Sequence, residues 1–289
     1  MARANFFKRN FPFALGSGPF VWQILFFYVP LILLLVSSVV KLSSDSHLST
    51  LTFDHFRPLF RGTYFRIMIN SLIMALSTSV LCLFIAYPVA YFMAFRAKRF
   101  KNLLLFLLIV PFWTNFLLHV YAWFFVLEKE GFLNNFLIKF HLISEPLHFL
   151  NSLFAVMLMM IYYYLPFMTL PIYSSLERFD HRLMEASFDL GASWWETFRG
   201  IMLPLSLPSM RAGFFLVFIP SFGEFVIPEL MGGDRHYFVG NVVSQFILGD
   251  RTGGMGAAFT VISSLILIGA SLSIFYLFKR LSNFLIKRT

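Results

Sequence analysis

Apolar runs of membrane-crossing length constrain the fold of this chain more than any other feature. A helix needs about 20 predominantly apolar residues to cross about 30 Å of hydrocarbon. Six runs reach that length, at residues 19–40, 68–94, 102–127, 150–175, 209–229 and 256–278. The composition agrees, with 58% hydrophobic and 13% charged residues, where a soluble domain has about half and about a quarter. The chain is therefore predicted to be an all-α integral membrane protein with six transmembrane helices.

Basic residues beside the apolar runs predict the orientation of the chain. Loops on the cytosolic side of a membrane are enriched in Lys and Arg, and residues 96–101 hold four such residues in six positions. With the N-terminus inside, fifteen of the 23 Lys and Arg residues lie in cytosolic segments. Both termini are therefore expected in the cytosol. The same clustering accounts for the net charge of +9 without a nucleic-acid partner.

Two smaller expectations concern the first apolar run and the outer loops. The first run is longer than the core of a signal peptide and has no convincing cleavage site, so it is expected to remain in the protein. Residues 41–67, 128–149 and 230–255 are expected outside the membrane, where they can hold short interfacial helices. Gly131 to His141 is predicted to be one of these helices.

Motifs for catalysis are absent from this chain. No Gly-x-x-x-x-Gly-Lys-Ser/Thr sequence occurs, so no phosphate-binding loop is predicted, and no His-Glu-x-x-His occurs. The lone cysteine, Cys82, excludes an intramolecular disulfide. His119 with Asn115 one turn earlier is interpreted as a packed hydrogen-bonded pair rather than as a proton relay. We therefore predict no catalytic residue, no metal ligand and no cofactor bound by this chain.

A polar segment of about thirty residues, the 176–208 loop, precedes the fifth span. Asp180 is suited to cap a short helix, and Gly191 is suited to end it in a left-handed conformation. Ser193 followed by Glu196 is a capping-box pattern, which predicts a second short helix that Gly200 is expected to close.

Two readings of this loop follow from its residues alone. The small side chains of Ala186 and Ser187 leave a surface of low relief beside the charge of Glu185, which favours a docking site for another protein. The alternative is a pair of interfacial helices without a partner, because short capped helices are common.

The spacing of the loop resembles a known motif. Glu185-Ala186-Ser187, three residues, Gly191, nine residues and Ile201-Met202-Leu203-Pro204 match the EAA loop of ABC-importer permeases, except that Ser187 stands where the third position has alanine. In that family the loop forms a coupling helix that sits in a cleft of the ATPase subunit. The resemblance therefore implies a set of ATPase-coupling residues, namely Glu185, Ala186, Ser187, Gly191, Ile201, Leu203 and Pro204.

Other segments resemble the permeases of spermidine and putrescine importers, most closely the B-type subunit. The similar segments are Leu103 to Asn115, Leu165 to Met168, Tyr173 to Glu177 and Pro228 to Gly233. Residues 223–228 are also similar to the corresponding segment of a putrescine system, so the choice between the two polyamines stays open. The likeness covers most of the chain from about residue 60 onward.

The resemblance also implies a fold, a cellular location and a set of partners. The fold is that of a type I ABC importer permease (MetI-like), with a core over residues 67–278. Residues 1–66 hold the cytosolic N-terminus, the first span and the first outer loop, and residues 279–289 form a basic cytosolic tail. The implied partners, in the bilayer of a bacterial inner membrane, are two copies of an ABC ATPase that use ATP and Mg²⁺, a second, C-type permease subunit and an extracytoplasmic polyamine-binding protein.

Glu224 is the sharpest candidate for a contact with cargo, because a charge inside the fifth span is costly unless it faces water or the bundle interior. A carboxylate would attract a polycation, and aromatic faces would add cation–π contacts. The substrate-pathway candidates are Glu224, Trp113, Asn115, Tyr121 and Tyr163, with Trp123, Tyr162 and Tyr164 as further rings. The alternatives are a helix-end carboxylate at the outer interface for Glu224 and ordinary packing for the rings.

Two alternatives to a polyamine permease remain at this point. The EAA spacing does not distinguish cargoes, so another small solute is possible. A self-contained secondary carrier or an intramembrane enzyme is a different class, although a carrier more often shows internal repeats and more intramembrane charges.

Overall fold

The computed structural model describes residues 18–41, 50–60, 62–97, 99–233, 236–248 and 253–286. Several basic residues used to predict orientation lie outside this part, namely Arg3, Lys8, Arg9, Lys98, Lys287 and Arg288, as does Asp234. The described residues are mostly helical. In chain order the helices are α1 Gly18–Val39, α2 Thr63–Arg96, α3 Lys101–Trp113, α4 Phe116–Leu127, α5 Phe132–Lys139, α6 Leu153–Glu177, α7 His181–Asp189, α8 Trp194–Phe222, α9 Val239–Leu248 and α10 Gly253–Ile286.

Within the described ranges, five helices are long and apolar enough to cross a membrane. They are α1, α2, α6, α8 and the Gly254–Phe284 part of α10. Helix α3 and the helical stretch that follows it form a bent pair, which raises the number to six if the pair is one span. The prediction of a helical, multi-span membrane protein is therefore confirmed.

The predicted third span, residues 102–127, is broken in the structure. The helical stretches Lys101–Trp113 and Phe116–Lys139 are bent by 100° relative to each other. Helix α3 ends in a 3-10 turn over Val110–Trp113, and Thr114 is extended. Asn115 then starts α4, because its side-chain oxygen accepts a hydrogen bond from the backbone N–H of Leu117 at 2.9 Å. A side chain that caps a new helix at this point makes the bend a built feature of the backbone.

The predicted fifth span, residues 209–229, is displaced in the structure. Helix α8 begins at Trp194, after the Ser193 cap. A π-helical turn over Phe198–Met202 then carries the helix through Gly200 without a break. The expectation that Gly200 closes a separate short helix is therefore wrong. Helix α8 ends at Phe222, where the backbone N–H of Gly223 bonds to the carbonyl of Pro220.

Short elements lie between the long helices. Helix α5 confirms the helix expected between Gly131 and His141, and α9 lies in the segment expected to hold an outer-loop helix. Strands β1, Val40–Lys41, and β2, Thr50–Leu51, pair antiparallel in a two-stranded sheet, with Val40 opposite Leu51.

The described residues fall into two compact units. One consists of residues up to Phe65 together with Gln245–Ser264, and there Tyr64 packs against Phe246 and Phe259. The other consists of Arg66–Ser244 and the residues from Leu265 onward. The candidate ATPase-coupling residues and the substrate-pathway candidates all belong to this second unit.

Helices α6 and α8 form the densest part of the second unit. Both helices hold buried apolar residues, such as Met168 and Ile172 of α6 and Phe214 and Phe218 of α8. Gly213 lets the two backbones approach closely, since a Cβ atom there would lie 3.0 Å from the Met168 sulfur and 3.1 Å from the Met168 carbonyl oxygen. Small residues at such crossings are typical of helix packing in membranes.

Replacing Gly213 by Leu is expected to lower the melting temperature of the detergent-solubilised chain by several degrees. The new side chain has to push against the backbone of α6, and overpacking of this kind costs about 1–3 kcal/mol. Gly269→Leu is the matched control, because a Cβ atom at Gly269 of α10 would meet none of the described atoms within 4 Å. Equal melting temperatures for the two variants would contradict the close α6–α8 contact.

Candidate functional site

The first half of the 176–208 loop forms the predicted capped helix. The Asp180 side chain accepts a hydrogen bond from the backbone N–H of Arg182 at 3.0 Å and so starts α7. Gly191 follows the helix with a φ of +85°, and its N–H bonds to the Phe188 carbonyl at 2.9 Å. Both cap predictions are confirmed.

The predicted capping box at the start of α8 is also present. The side chain of Glu196 accepts from the backbone N–H of Ser193 at 2.8 Å, and the Ser193 hydroxyl receives the backbone N–H of Glu196 at 3.4 Å. Between the two helices the chain turns at Gly191 and Ala192, where the N–H of Ala192 bonds to the Ser187 carbonyl. The loop is therefore a helix, a sharp turn and the exposed first turns of a long helix.

The three residues that begin the motif lie on α7 and differ in their exposure to solvent. Glu185 and Ala186 are exposed, whereas Ser187 is half-buried. The Ser187 hydroxyl lies 2.9 Å from the hydroxyl of Thr197, which is buried and donates to the Ser193 carbonyl at 3.1 Å. Of the two small residues predicted at the docking surface, only Ala186 is exposed, because Ser187 is held against α8.

The sequence interpretation did not identify Thr197, although it lies beside the predicted capping box. Its hydroxyl joins the two helices of the loop, and an alanine at position 187 could not make that hydrogen bond. Serine in place of alanine thus adds a polar link and keeps the small side chain.

Several large apolar side chains are exposed on this polar loop. Leu190, at the end of α7, is 89% exposed. Leu183 and Phe188 of the same helix are also exposed. Contiguous exposed apolar patches mark interaction sites, and these side chains lie on or directly after one short helix, α7.

The second half of the motif does not lie on that surface. Ile201 belongs to the π-helical turn of α8, and Leu203 and Pro204 begin the α-helical part that follows. All three are half-buried. The motif therefore combines an exposed part, from Glu185 to Gly191, with a part that is built into α8.

Glu224 does not lie inside the fifth span, which corrects its predicted place. It follows the end of α8, and its Oε1 atom accepts from the backbone N–H groups of Phe225 and Val226, each at 3.1 Å. Its Oε2 atom accepts from the hydroxyl of Tyr164 of α6 at 2.9 Å. Glu224 is thus a half-buried helix-end carboxylate that is tied to a long helix of the bundle.

The structure brings some of the candidate rings together with Glu224 and leaves others apart. The Tyr163 ring packs against Tyr164 with a centroid distance of 5.3 Å, and against Phe116 at 4.7 Å. Trp113, by contrast, is 77% exposed, and Tyr121 is also exposed. The geometry therefore groups Tyr163 and Tyr164 with the carboxylate and separates Trp113 and Tyr121 from the packed interior of this chain.

The expected pair of His119 and Asn115 is wrong. The Nδ1 atom of His119 lies 2.9 Å from the Tyr162 hydroxyl, and its Nε2 atom lies 2.9 Å from the Pro111 carbonyl oxygen. Asn115 instead caps α4, as described above. His119 and Tyr162 line a cavity of about 130 Å³ between α3, α4 and α6, whose other walls are mostly apolar.

The comparisons with known proteins agree with this architecture. Residues 86–283 match the family described as binding-protein-dependent transport system inner membrane component. The chain is 38% identical over 263 residues to the spermidine/putrescine transport system permease protein PotB of Escherichia coli (strain K12), covering 91% of this chain and 95% of that protein. It is 36% identical over 265 residues to PotB of Haemophilus influenzae (strain ATCC 51907 / DSM 11121 / KW20 / Rd), covering 91% of this chain and 92% of that protein.

A solved structure shows the same fold at low sequence identity. It is a crystal structure of a bacterial alginate ABC transporter in complex with an alginate pentasaccharide-bound periplasmic protein. The TM-score is 0.77, with 96% of this chain and 97% of that chain covered, at 16% identity. At that identity the likeness concerns the fold alone.

Replacing Gly191 by Ala is expected to loosen the turn after α7. A residue with a Cβ atom in the left-handed region costs about 1–2 kcal/mol, which corresponds to about 5- to 30-fold faster local opening. Hydrogen exchange of the Gly191 and Ala192 amides, followed by mass spectrometry, measures this opening directly.

Gly191→Asn is the matched control, because asparagine tolerates the left-handed conformation better than alanine does. No described atom lies within 4 Å of a Cβ built at this position, so steric clash does not confuse the comparison. Unchanged exchange in the alanine variant would show that the φ of +85° is not required.

Proposed function

Because this chain belongs to the family of binding-protein-dependent transport system inner membrane components, we propose that it imports spermidine and/or putrescine as the permease subunit of an ATP-driven ABC importer. The observation that supports a polyamine cargo is the 38% identity to PotB, a spermidine/putrescine permease, across 91% of this chain. A match of that length necessarily includes the 176–208 loop and the segment around Glu224.

The exposed part of the 176–208 loop is proposed to contact a separate ATPase. Glu185 and Ala186 offer a charge and a surface of low relief on α7, and Leu190 offers an apolar side chain that no other part of the described chain covers well. Ser187 and Thr197 fix α7 against α8 through their hydroxyl contact. A force applied to α7 is thereby passed to a helix that continues into the membrane.

The orientation is proposed from the distribution of basic residues. The predicted topology puts two basic segments on the same side of the membrane. One holds Arg96, Arg99 and Lys101, and the other holds Arg178, Arg182 and Arg199. Cytosolic loops are enriched in Lys and Arg, so the 176–208 loop is assigned to the cytosol, together with both termini.

The importer is proposed to contain four further subunits or partners. Two ATPase copies bind and hydrolyse ATP with Mg²⁺, a second, C-type permease completes the pathway, and a soluble extracytoplasmic protein delivers the polyamine. ATP-driven closure of the ATPases moves the coupling loops, and the permease pair alternates between inward-open and outward-open forms.

Glu224 is proposed to act on the cargo through its charge. A polyamine is a flexible polycation, and a carboxylate held by two backbone N–H groups and the Tyr164 hydroxyl presents its negative charge at a fixed place. Neighbouring rings such as Tyr163 can add cation–π attraction of about 0.5–2 kcal/mol each.

An ATPase and a second permease are expected to co-purify with the tagged full-length chain from its native host. Leu190→Ser is expected to reduce the captured ATPase, because removing a leucine from an interface costs about 1.5–3 kcal/mol, or roughly tenfold to hundredfold in affinity. Quantitative mass spectrometry of the eluate measures both.

Leu142→Ser is the control for this experiment, since Leu142 is also well exposed, at 66%, but lies in a loop expected on the opposite side of the membrane. Absence of any ATPase beside the unaltered chain would overturn the importer assignment. Equal capture by the two variants would remove Leu190 from the contact surface.

Glu224→Gln is expected to weaken polyamine uptake by the assembled complex. Glutamine keeps an oxygen for the backbone N–H groups but loses the charge, and a hydrogen bond to a charged group is worth about 1.5–3 kcal/mol. The polyamine concentration for half-maximal uptake into proteoliposomes is therefore expected to rise roughly tenfold to hundredfold.

Glu229→Gln is the charge-matched control, because Glu229 is exposed and accepts a hydrogen bond from Asn241, which glutamine can also satisfy. Uptake by Glu224→Gln at the rate of the unaltered protein would exclude Glu224 from the pathway. Uptake of a different solute, with no response to spermidine or putrescine, would overturn the assignment of polyamines as the cargo.

A further inference from the structure

A ladder of aromatic side chains joins the start of α8 to the end of α2. On α2, Tyr87, Tyr91 and Phe95 follow one another at intervals of four residues, and on α8 Trp194 and Phe198 show the same interval. Side chains four residues apart lie on the same face of a helix. The two rows of rings therefore face each other along the contact between α2 and α8.

The contacts within the ladder are edge-to-face. The ring of Tyr87 meets Phe198 at 5.7 Å between centroids with an interplanar angle of 88°, and Tyr91 meets Trp194 at 6.2 Å with 86°. The indole N–H of Trp194 also donates to the Tyr91 hydroxyl at 3.4 Å. Edge-to-face pairs are a preferred arrangement of aromatic rings, so each rung resists both sliding and separation.

The ladder also reaches the first helix of the 176–208 loop. The ring of Phe95 lies 5.3 Å from His181, the first residue of α7, and 6.4 Å from Phe179 just before it. Phe95 in turn packs on Tyr91 at 4.9 Å. One face of α2 thus touches the loop at the start of α7 and at the start of α8.

The part of α2 that carries the ladder is suited to local bending. Pro88 lies inside the helix, next to Tyr87, and proline removes a backbone hydrogen bond. The last turn, Phe92–Arg96, is π-helical, and kinks and π-turns are the usual places where a helix changes direction. The cytosolic end of α2 can therefore follow the loop while the rest of the helix stays in place.

We propose that this aromatic ladder transmits movement of the 176–208 loop to α2, a proposal that rests on the proposed function because an ATPase must move the loop. Helix α8 is continuous with the loop, and the ladder supplies a second route into the membrane through another span. Trp194 and Tyr91 are the central rung. They are positioning residues that contact neither cargo nor nucleotide.

The test compares Trp194→Ala with Trp195→Ala in the complete importer, reconstituted in proteoliposomes with its ATPase, second permease and binding protein. The two tryptophans are adjacent and similarly exposed, at 51% and 56%. In the described part of the chain, Trp195 has ring contacts with Trp194 and Phe198 of α8, whereas Trp194 also contacts α2. The readout is the number of polyamine molecules imported for each ATP hydrolysed.

Trp194→Ala is expected to bind the ATPase and to hydrolyse ATP, but to import about 2- to 30-fold fewer polyamine molecules per ATP, the range typical of residues that carry coupling. Trp195→Ala is expected to keep the ratio of the unaltered complex. Tyr91→Ala removes the same rung from α2 and is expected to show the same defect. The double variant is expected to be no worse than either single variant, because both act through one contact.

A purely structural role would lower uptake and ATP hydrolysis together, in proportion to the amount of complex, and that result would overturn the proposal. So would equal ratios for Trp194→Ala and Trp195→Ala, or additive defects of Trp194→Ala and Tyr91→Ala. Failure of the proposed function is seen separately, because the unaltered chain would then assemble no ATP-dependent importer at all.

Discussion

The satisfaction of backbone N–H and C=O groups in hydrocarbon governs the rest of this structure. A helical chain can cross a bilayer because its helices pair their own backbone polar groups, so each interruption of a helix leaves polar groups that need other partners. Asn115 supplies one where α3 and α4 meet, Ser152 starts α6 by accepting from the Ala155 N–H, and Glu224 holds two N–H groups after α8. The places where helices break are therefore the places where polar side chains can lie at membrane depth.

Local sequence patterns predicted the features that depend on neighbouring residues. The apolar runs located the long helices, and the residue types at Asp180, Gly191 and Ser193 correctly predicted the caps of the 176–208 loop. The same reasoning failed at Gly200, because glycine ends a helix only when the next residues favour leaving it. A π-helical turn keeps the chain helical there, and it allows α8 to pass directly from the loop into the membrane.

Features that depend on packing between separate helices had no signal of their own in the sequence. Trp194 and Tyr91 are separated by 103 residues, and the tie between Ser187 and Thr197 requires α7 to fold back on α8. A sequence interval of four residues was visible in both aromatic rows, but it does not reveal which rows face each other. Likewise, residue patterns left an importer subunit, a carrier and an enzyme open, and the family match over residues 86–283 selects the transport component.

The position of Glu224 bears on its proposed role toward a polycationic cargo. An ionised carboxylate has about four acceptor positions on its two oxygens, and here three of them receive hydrogen bonds, two from backbone N–H groups and one from Tyr164. Such a group is fixed in place and cannot swing toward a passing cargo. In the proposed role, a fixed charge at a helix junction attracts a polyamine through its field and binds it through one remaining position, which is compatible with release during each cycle. The capping contacts of Glu224 thus immobilise the carboxylate whose charge the proposed transport role requires.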